Sequence, residues 1–102
     1  MKTQKKIKET ILKSLKKRKG MTRKELASIC NCSDRTMRTA IAELRFEGHM
    51  IGVTPQGGYT LNNEDDFVRA MNIYKARVSR EQKTLRRMQK ALESVNQVRY
   101  QP

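Results

Sequence analysis

The chain has 102 residues and a mass of 11.9 kDa, with 23 Lys and Arg against 10 Asp and Glu, a formal net charge of +13. This length allows one compact domain with an appended element and argues against a large enzyme with a deep cleft. A pI near 10.3 directs attention to a polyanionic partner, most simply nucleic acid.

Leu, Ile, Val and Phe supply 20 of the 102 residues, just under the level at which a highly charged chain reads as disordered. Composition is therefore ambiguous, and the order of residues decides. No apolar run approaches the roughly 18 residues that a membrane span needs, and no signal-peptide pattern opens the sequence. A cytoplasmic location is expected. Cys30 and Cys32 are too few and too close for a disulfide framework and read as reduced, buried thiols.

Residues 1–62 carry 14 basic and 5 acidic side chains, and residues 67–102 carry 9 and 2, so neither half is a detachable basic tail. Between them stands the acidic cluster Glu64-Asp65-Asp66. All five glycines precede Tyr59, and no Gly or Pro lies between Tyr59 and Gln101. This shift divides the chain into a turn-containing domain, residues 1–62, and one long helical element, residues 63–102.

In chain order, Ile7, Ile11 and Leu15 recur at i, i+4, i+8 through Met1–Lys19. That spacing predicts an amphipathic helix, closed by a cationic last turn and Gly20. Thr22-Arg23-Lys24-Glu25 is a capping box for a short second helix, with Leu26, Ile29 and Cys30 on its inner face. Asn31-Cys32 makes a tight turn, since Asn tolerates the left-handed conformation. Ser33 then caps a third helix whose Met37, Ile41 and Leu44 form one buried stripe, and Gly48 stops it. His49–Val53 and Gly58–Leu61 read as two short strands around Thr54-Pro55-Gln56-Gly57, a hairpin.

Helix, helix–turn–helix and hairpin together form the layout of a winged helix. The pair Leu26-Ala27, the turn, the Ser33 cap, Arg35-Thr36, then Ile41, Leu44-Arg45 and Glu47-Gly48 follow a recurrent pattern. In these residues the chain resembles the biotin-repressor and DeoR-type winged helix–turn–helix regulators. Gly57-Gly58-Tyr59-Thr60-Leu61 is similar to the strand that closes the wing in that family. The match covers about residues 5–62 and departs at Asn31, where the family often has Gly. The ligase or sensor domain that follows in many relatives has no counterpart in these residues, so no effector chemistry is implied. The expected fold is mainly α (α+β), a winged helix–turn–helix with a two-stranded wing and a long C-terminal coiled-coil helix.

A recognition helix reads the major groove with its N-terminal residues while its apolar stripe faces the core. The outward set here is Ser33, Asp34, Arg35, Arg38 and Thr39. Arg35 and Arg38 suit guanine edges, and Ser33 and Thr39 can reach phosphates or bases. Two readings of Asp34 stand open: it accepts from a cytosine amine, or it favours the helix N-terminus and orients Arg38 at i+4. Phosphate contacts are assigned to Lys5, Lys16, Lys17, Arg18, Lys19, Arg23 and Lys24, with Lys6 beside them. The wing tip has no Lys or Arg. It either meets DNA through Thr54, Gln56 and backbone amides or only covers the core edge.

Asn63 and the three acids after it start a helix that runs to about Tyr100, roughly 55 Å at about 1.5 Å per residue. Steps of four and three give a heptad seam of Phe67, Met71, Tyr74, Val78, Leu85, Met88, Leu92 and Val95, with Glu81 at one core position. Such a seam calls for a partner, and the simplest is a second copy. The flanking Lys75, Arg77, Gln82, Thr84, Gln89 and Ala91 make no opposite-sign pairs, so strand number and orientation stay open. Ser79-Arg80-Glu81-Gln82 also resembles a capping box and marks an alternative in which the helix breaks. Arg80, Lys83, Arg86, Arg87 and Lys90 form an outer basic stripe that either touches DNA or keeps the helix solvated.

No arrangement supports catalysis, a cofactor or a small-molecule ligand. Cys30, Cys32 and His49 fall short of a structural metal site. The expected function is sequence-specific duplex-DNA binding by a small dimeric transcriptional regulator. The alternative is a mobile-element or phage replication or packaging accessory protein built on the same domain. RNA binding is disfavoured by the scarcity of aromatics for base stacking.

Overall fold

The computed structural model describes residues 3–100, and the side chains of residues 3–96. The elements are α1 (Gln4–Lys17), α2 (Arg23–Cys30), α3 (Asp34–Phe46), β1 (Ile51–Val53), β2 (Tyr59–Leu61) and α4 (Glu64–Tyr100). This is the winged helix–turn–helix with a long C-terminal helix that the apolar spacing implies.

Thr3 caps α1, its hydroxyl oxygen accepting the Lys6 amide at 3.3 Å. Met1 and Lys2, the start of the expected span, lie outside the described residues. The helix ends at Lys17, two residues before Lys19, because the chain leaves it to join the hairpin. Arg18 is extended at φ −142°, ψ 131°. Beyond it the Gly20 amide donates to the Tyr59 carbonyl at 3.0 Å, and the Tyr59 amide donates to the Met21 carbonyl at 2.6 Å. Met21 thus forms a one-residue antiparallel bridge to β2. The close approach requires Gly58, where a Cβ would lie 2.4 Å from the Gly20 carbonyl oxygen.

The capping box of α2 closes in both directions: the Glu25 amide donates to the Thr22 hydroxyl at 3.1 Å, and the Thr22 amide donates to Glu25 at 3.3 Å. Donation from that backbone amide, aided by the Thr22 hydroxyl and Arg18, holds the Glu25 carboxyl below its ordinary pKa. Leu26 and Cys30 are buried as the spacing predicts, but Ile29 is 47% exposed, which corrects its placement on the inner face. The reason is angular. Leu26, Ala27 and Cys30 pack on the core, and a residue at position 29 points about 100° away from their mean direction. Asn31 then adopts φ 50°, ψ 52° and supplies the turn.

The Ser33 hydroxyl caps α3 by accepting the Thr36 amide at 3.1 Å. Met37, Ala40, Ile41 and Leu44 of α3 meet Ile7, Ile11 and Leu15 of α1 in one core with Leu26, Cys30, Met21, Ile51 and Tyr59. The strands pair Ile51 with Leu61, Gly52 with Thr60 and Val53 with Tyr59.

The compact unit does not end at residue 62; it extends through Met71, and Asn72 begins a second unit. The first turns of α4 are fixed to the hairpin by a buried polar junction. The Thr60 hydroxyl donates to Asp66 Oδ2 at 2.8 Å, and Arg69 donates to Asp66 Oδ1 at 2.9 Å and to the Val53 carbonyl at 3.1 Å. Asn63 caps the helix, its side-chain oxygen accepting the Asp66 amide at 3.0 Å. Phe67 is consequently half-buried and Ala70 buried within the first unit. The helix is continuous through Ser79, so the alternative break does not occur.

Gly52 makes this junction possible, since a Cβ there would meet the Asp66 carbonyl carbon at 2.4 Å and the Phe67 nitrogen at 2.5 Å. Gly52→Ala is expected to destabilise the fold by about 1–3 kcal/mol through overpacking against backbone. Chemical denaturation measures this, with the exposed Gln56→Ala as a near-neutral comparison; an unchanged midpoint for Gly52→Ala would show that α4 is not held there.

Candidate nucleic-acid interface

The α1–α2–α3 core turns one side of α3 outward. Ser33, Asp34, Arg35, Arg38 and Thr39 are all exposed, while Met37, Ala40 and Ile41 between and beyond them are buried. The structure thus brings together the five side chains that the sequence singles out for base reading. They are not equivalent. The Ser33 hydroxyl is occupied at the cap and also donates to the Thr36 hydroxyl at 2.9 Å. The Thr39 hydroxyl donates to the Arg35 carbonyl at 3.1 Å, a local bond that competes with any outside partner.

Asp34 is the hub of the set. Its Oδ1 accepts Arg23 Nε at 2.5 Å and its Oδ2 lies 3.1 Å from Arg38 Nε, so each carboxylate oxygen holds a guanidinium. The Asp34 carboxylate, with the Tyr59 hydroxyl behind it, raises the Arg23 pKa above its ordinary value. The i+4 contact to Arg38 follows from helix geometry. The Arg23 contact crosses the turn between α2 and α3, and sequence spacing gives no measure of it. The one signal was that the first residues of the two consecutive helices, Arg23 and Asp34, carry opposite charges. Arg35 has no ion pair among the described residues, so of the two arginines that the sequence singles out on α3 it is the less restrained.

The cations assigned to phosphate divide in the same way. Lys5, Lys16, Lys17, Lys19 and Lys24 are exposed and have no carboxylate partner among the described residues. Arg18 instead pairs with Glu25 at 2.8 Å, and Arg23 is held by Asp34. A further pairing was not read from sequence. Lys8 bridges Glu43 at 2.9 Å and Glu47 at 2.6 Å, and Gln4 donates to Glu43 at 3.2 Å, fastening α1 to α3. Hydrogen bonds to Glu47 and Glu43 raise the Lys8 pKa, and those from Lys8 and Gln4 lower that of Glu43.

In the wing the Thr54 hydroxyl oxygen accepts the Gly58 amide at 2.9 Å, and the Thr54 amide donates to the Gly58 carbonyl at 2.8 Å. Thr54 closes the turn, and Pro55 and Gln56 are its exposed tip. Arg45, at the rear of α3, donates to the Ile51 carbonyl at 2.8 Å and sits 5.9 Å from the Tyr59 ring centroid, so it braces the wing.

Along α4, Met71, Tyr74, Val78, Leu85, Met88, Leu92 and Val95 are all exposed, whereas Phe67 is half-buried. Among the described residues no group of three His, Cys, Asp or Glu is placed to hold a metal ion, and no helix is long and apolar enough to cross a membrane.

Three short helices with a capped turn before the third, and a hairpin beyond it, define a winged helix–turn–helix domain, the class whose ligand is DNA. A family model described as an HTH domain matches residues 8–60, just over half of the chain, and the chain belongs to that family. No curated protein and no solved structure matches the chain.

The Asp34 hub yields a test. Asp34→Asn removes the charge that restrains Arg23 and Arg38, so affinity for random-sequence duplex DNA is expected to rise. Its dependence on salt should also steepen by about one to two in log–log slope. Fluorescence anisotropy across a salt series measures both, and an unchanged slope would mean that neither arginine gains a phosphate.

Proposed function

We propose that the protein is a sequence-specific duplex-DNA-binding regulator of transcription that works as a homodimer through α4. The observation that carries the first part is the outward face of α3. It presents Arg35 without an internal ion pair, beside Arg38, on a helix anchored by four buried residues and by the Lys8 bridges. Arg35 enters the major groove and takes a guanine edge, where a bidentate guanidinium contact discriminates best. Arg38 reads beside it while Asp34 fixes its direction. Ser33 and Thr39 approach the adjacent backbone or base edges, and Lys5, Lys16, Lys17, Lys19 and Lys24 neutralise phosphates. Thr54 and Gln56 are the wing's contribution, made through a hydroxyl, an amide and backbone groups.

Selection from random duplexes is expected to enrich a defined motif, and recovery of none would overturn sequence-specific binding. Arg35→Ala should lose about 1–3 kcal/mol on that motif and relax preference at one position, whereas Lys17→Ala should weaken all duplexes alike.

The second part is supported by the exposed α4 seam. Seven apolar side chains at heptad spacing stand in solvent in one copy, and a second copy buries them in knobs-into-holes layers. A two-fold dimer then offers two recognition helices to two half-sites. Residues 1–62, with the turns of α4 fixed to them, carry the DNA-binding role, and the remainder of residues 63–102 carries dimerisation. Sedimentation equilibrium should show a dimer that Leu85→Asp converts to monomer; a wild-type chain that stays monomeric at all concentrations would remove this part of the proposal.

A further inference from the structure

Between Lys75 and Lys90, over about 23 Å of helix, α4 carries seven cations and a single acid, Glu81, with Glu93 the next beyond. All are exposed. In the first unit carboxylates hold Lys8, Arg18, Arg23, Arg38 and Arg69. None of the seven α4 cations has an ion pair among the described residues. Five of them, Arg80, Lys83, Arg86, Arg87 and Lys90, lie on the side of the helix away from the Val78, Leu85 and Leu92 row. Their spacing is repulsive: Arg80 with Lys83, Lys83 with Arg86 and Arg87, and both arginines with Lys90 are i,i+3 or i,i+4 neighbours of like charge. A helix whose outer face served only solubility would intersperse acids at these steps.

Self-association does not relieve this repulsion. The five side chains point away from the apolar seam, and a second copy brings the same seven cations with the same two acids. The complement must come from outside. Duplex DNA offers a charge about every 1.7 Å of its axis, a continuous row at least as long as this face. No aromatic side chain lies among the five for base stacking, which disfavours a single strand. The apolar stripe is narrow and interrupted by Glu81, unlike the broad apolar face of a helix lying in a membrane surface.

We propose that the outer face of α4, built from Arg80, Lys83, Arg86, Arg87 and Lys90, is a second, sequence-independent surface for the phosphates of duplex DNA. The inference rests on the DNA-binding reading for its ligand, but it assigns no role to α3.

The test uses the full chain with the triple variant Lys83→Gln, Arg87→Gln, Lys90→Gln, in which Gln keeps good helix propensity. A companion variant, Lys83→Arg with Lys90→Arg, keeps the charge. Circular dichroism verifies helix content. Binding to a long random-sequence duplex across a salt series is expected to weaken for the triple variant, its log–log slope flattening by about two to three. The charge-keeping variant should behave as wild type, and the triple variant should retain the motif preference that Arg35→Ala loses. A triple variant with wild-type affinity and slope overturns the second surface while leaving α3 reading intact. Loss of motif preference in the triple variant overturns the independence of the two surfaces. Absence of any duplex binding by the wild-type chain overturns both readings, as does binding only to phosphatidylserine vesicles that the triple variant abolishes.

Discussion

Scarcity of apolar residues is the constraint on which the structure depends. A chain with so few Leu, Ile, Val and Phe can bury a core only if every amphipathic row in the domain converges on one place. Ile7, Ile11 and Leu15 on α1, Leu26 and Cys30 on α2, and Met37, Ala40, Ile41 and Leu44 on α3 do so. Each is a row of i, i+3 or i+4 neighbours, so burying it fixes the rotation of its helix. For α3 that rotation decides which side chains are exposed. Once Met37 and Ile41 face inward, Arg35, Arg38 and Thr39 stand on the exposed side of the helix. The packing therefore aims the arginines, and the caps at Thr22 and Ser33 set where the two helices of the motif begin.

The same scarcity explains why the core recruits segments that are not helical. Met21 and Tyr59, buried at opposite sides of a one-residue bridge, extend the core under the wing. The bridge needs backbone contact closer than any side chain permits, which Gly58 allows. A second close approach at Gly52 brings the α4 backbone onto β1, and the buried Asp66 then satisfies Thr60 and Arg69 there. A carboxylate that little exposed is tolerated because both of its oxygens are hydrogen-bonded, one of them to a cation.

Periodic features were legible in the sequence and pairwise ones were not. The helix rows, the capping box, the Ser33 and Asn63 caps, the Asn31 turn and the hairpin all rest on local spacing, and local spacing fixes them physically. Ile29 failed because an eight-residue helix has too few apolar positions to fix the angle of its buried face. The boundary at residue 62 was drawn from composition. It could not register that Gly52, lacking a side chain, would pull two turns of α4 into the domain. Within the site, spacing identified the outward five but ranked them by residue type alone. The ranking depends on contacts across 11 residues from Arg23 to Asp34 and across 39 from Lys8 to Glu47, set only when the helices pack.

Acids are few enough that their positions divide the cations into two kinds. Of the five acids before residue 62, Glu25, Asp34, Glu43 and Glu47 are each paired with a base, and Glu9 has no ion pair among the described residues. These exposed pairs contribute little stability one by one. Their effect is on direction: they hold Arg18, Arg23 and Lys8 against neighbouring elements and Arg38 against Asp34 of its own helix, and so restrain those cations. The cations without a carboxylate partner among the described residues include Arg35 on α3, Lys5, Lys16, Lys17, Lys19 and Lys24 of the first unit, and those on the outer face of α4. A uniform charge of +13 would attract any polyanion equally. Pairing confines the available charge to particular faces, and this confinement lets a generally basic chain present a defined surface to one ligand.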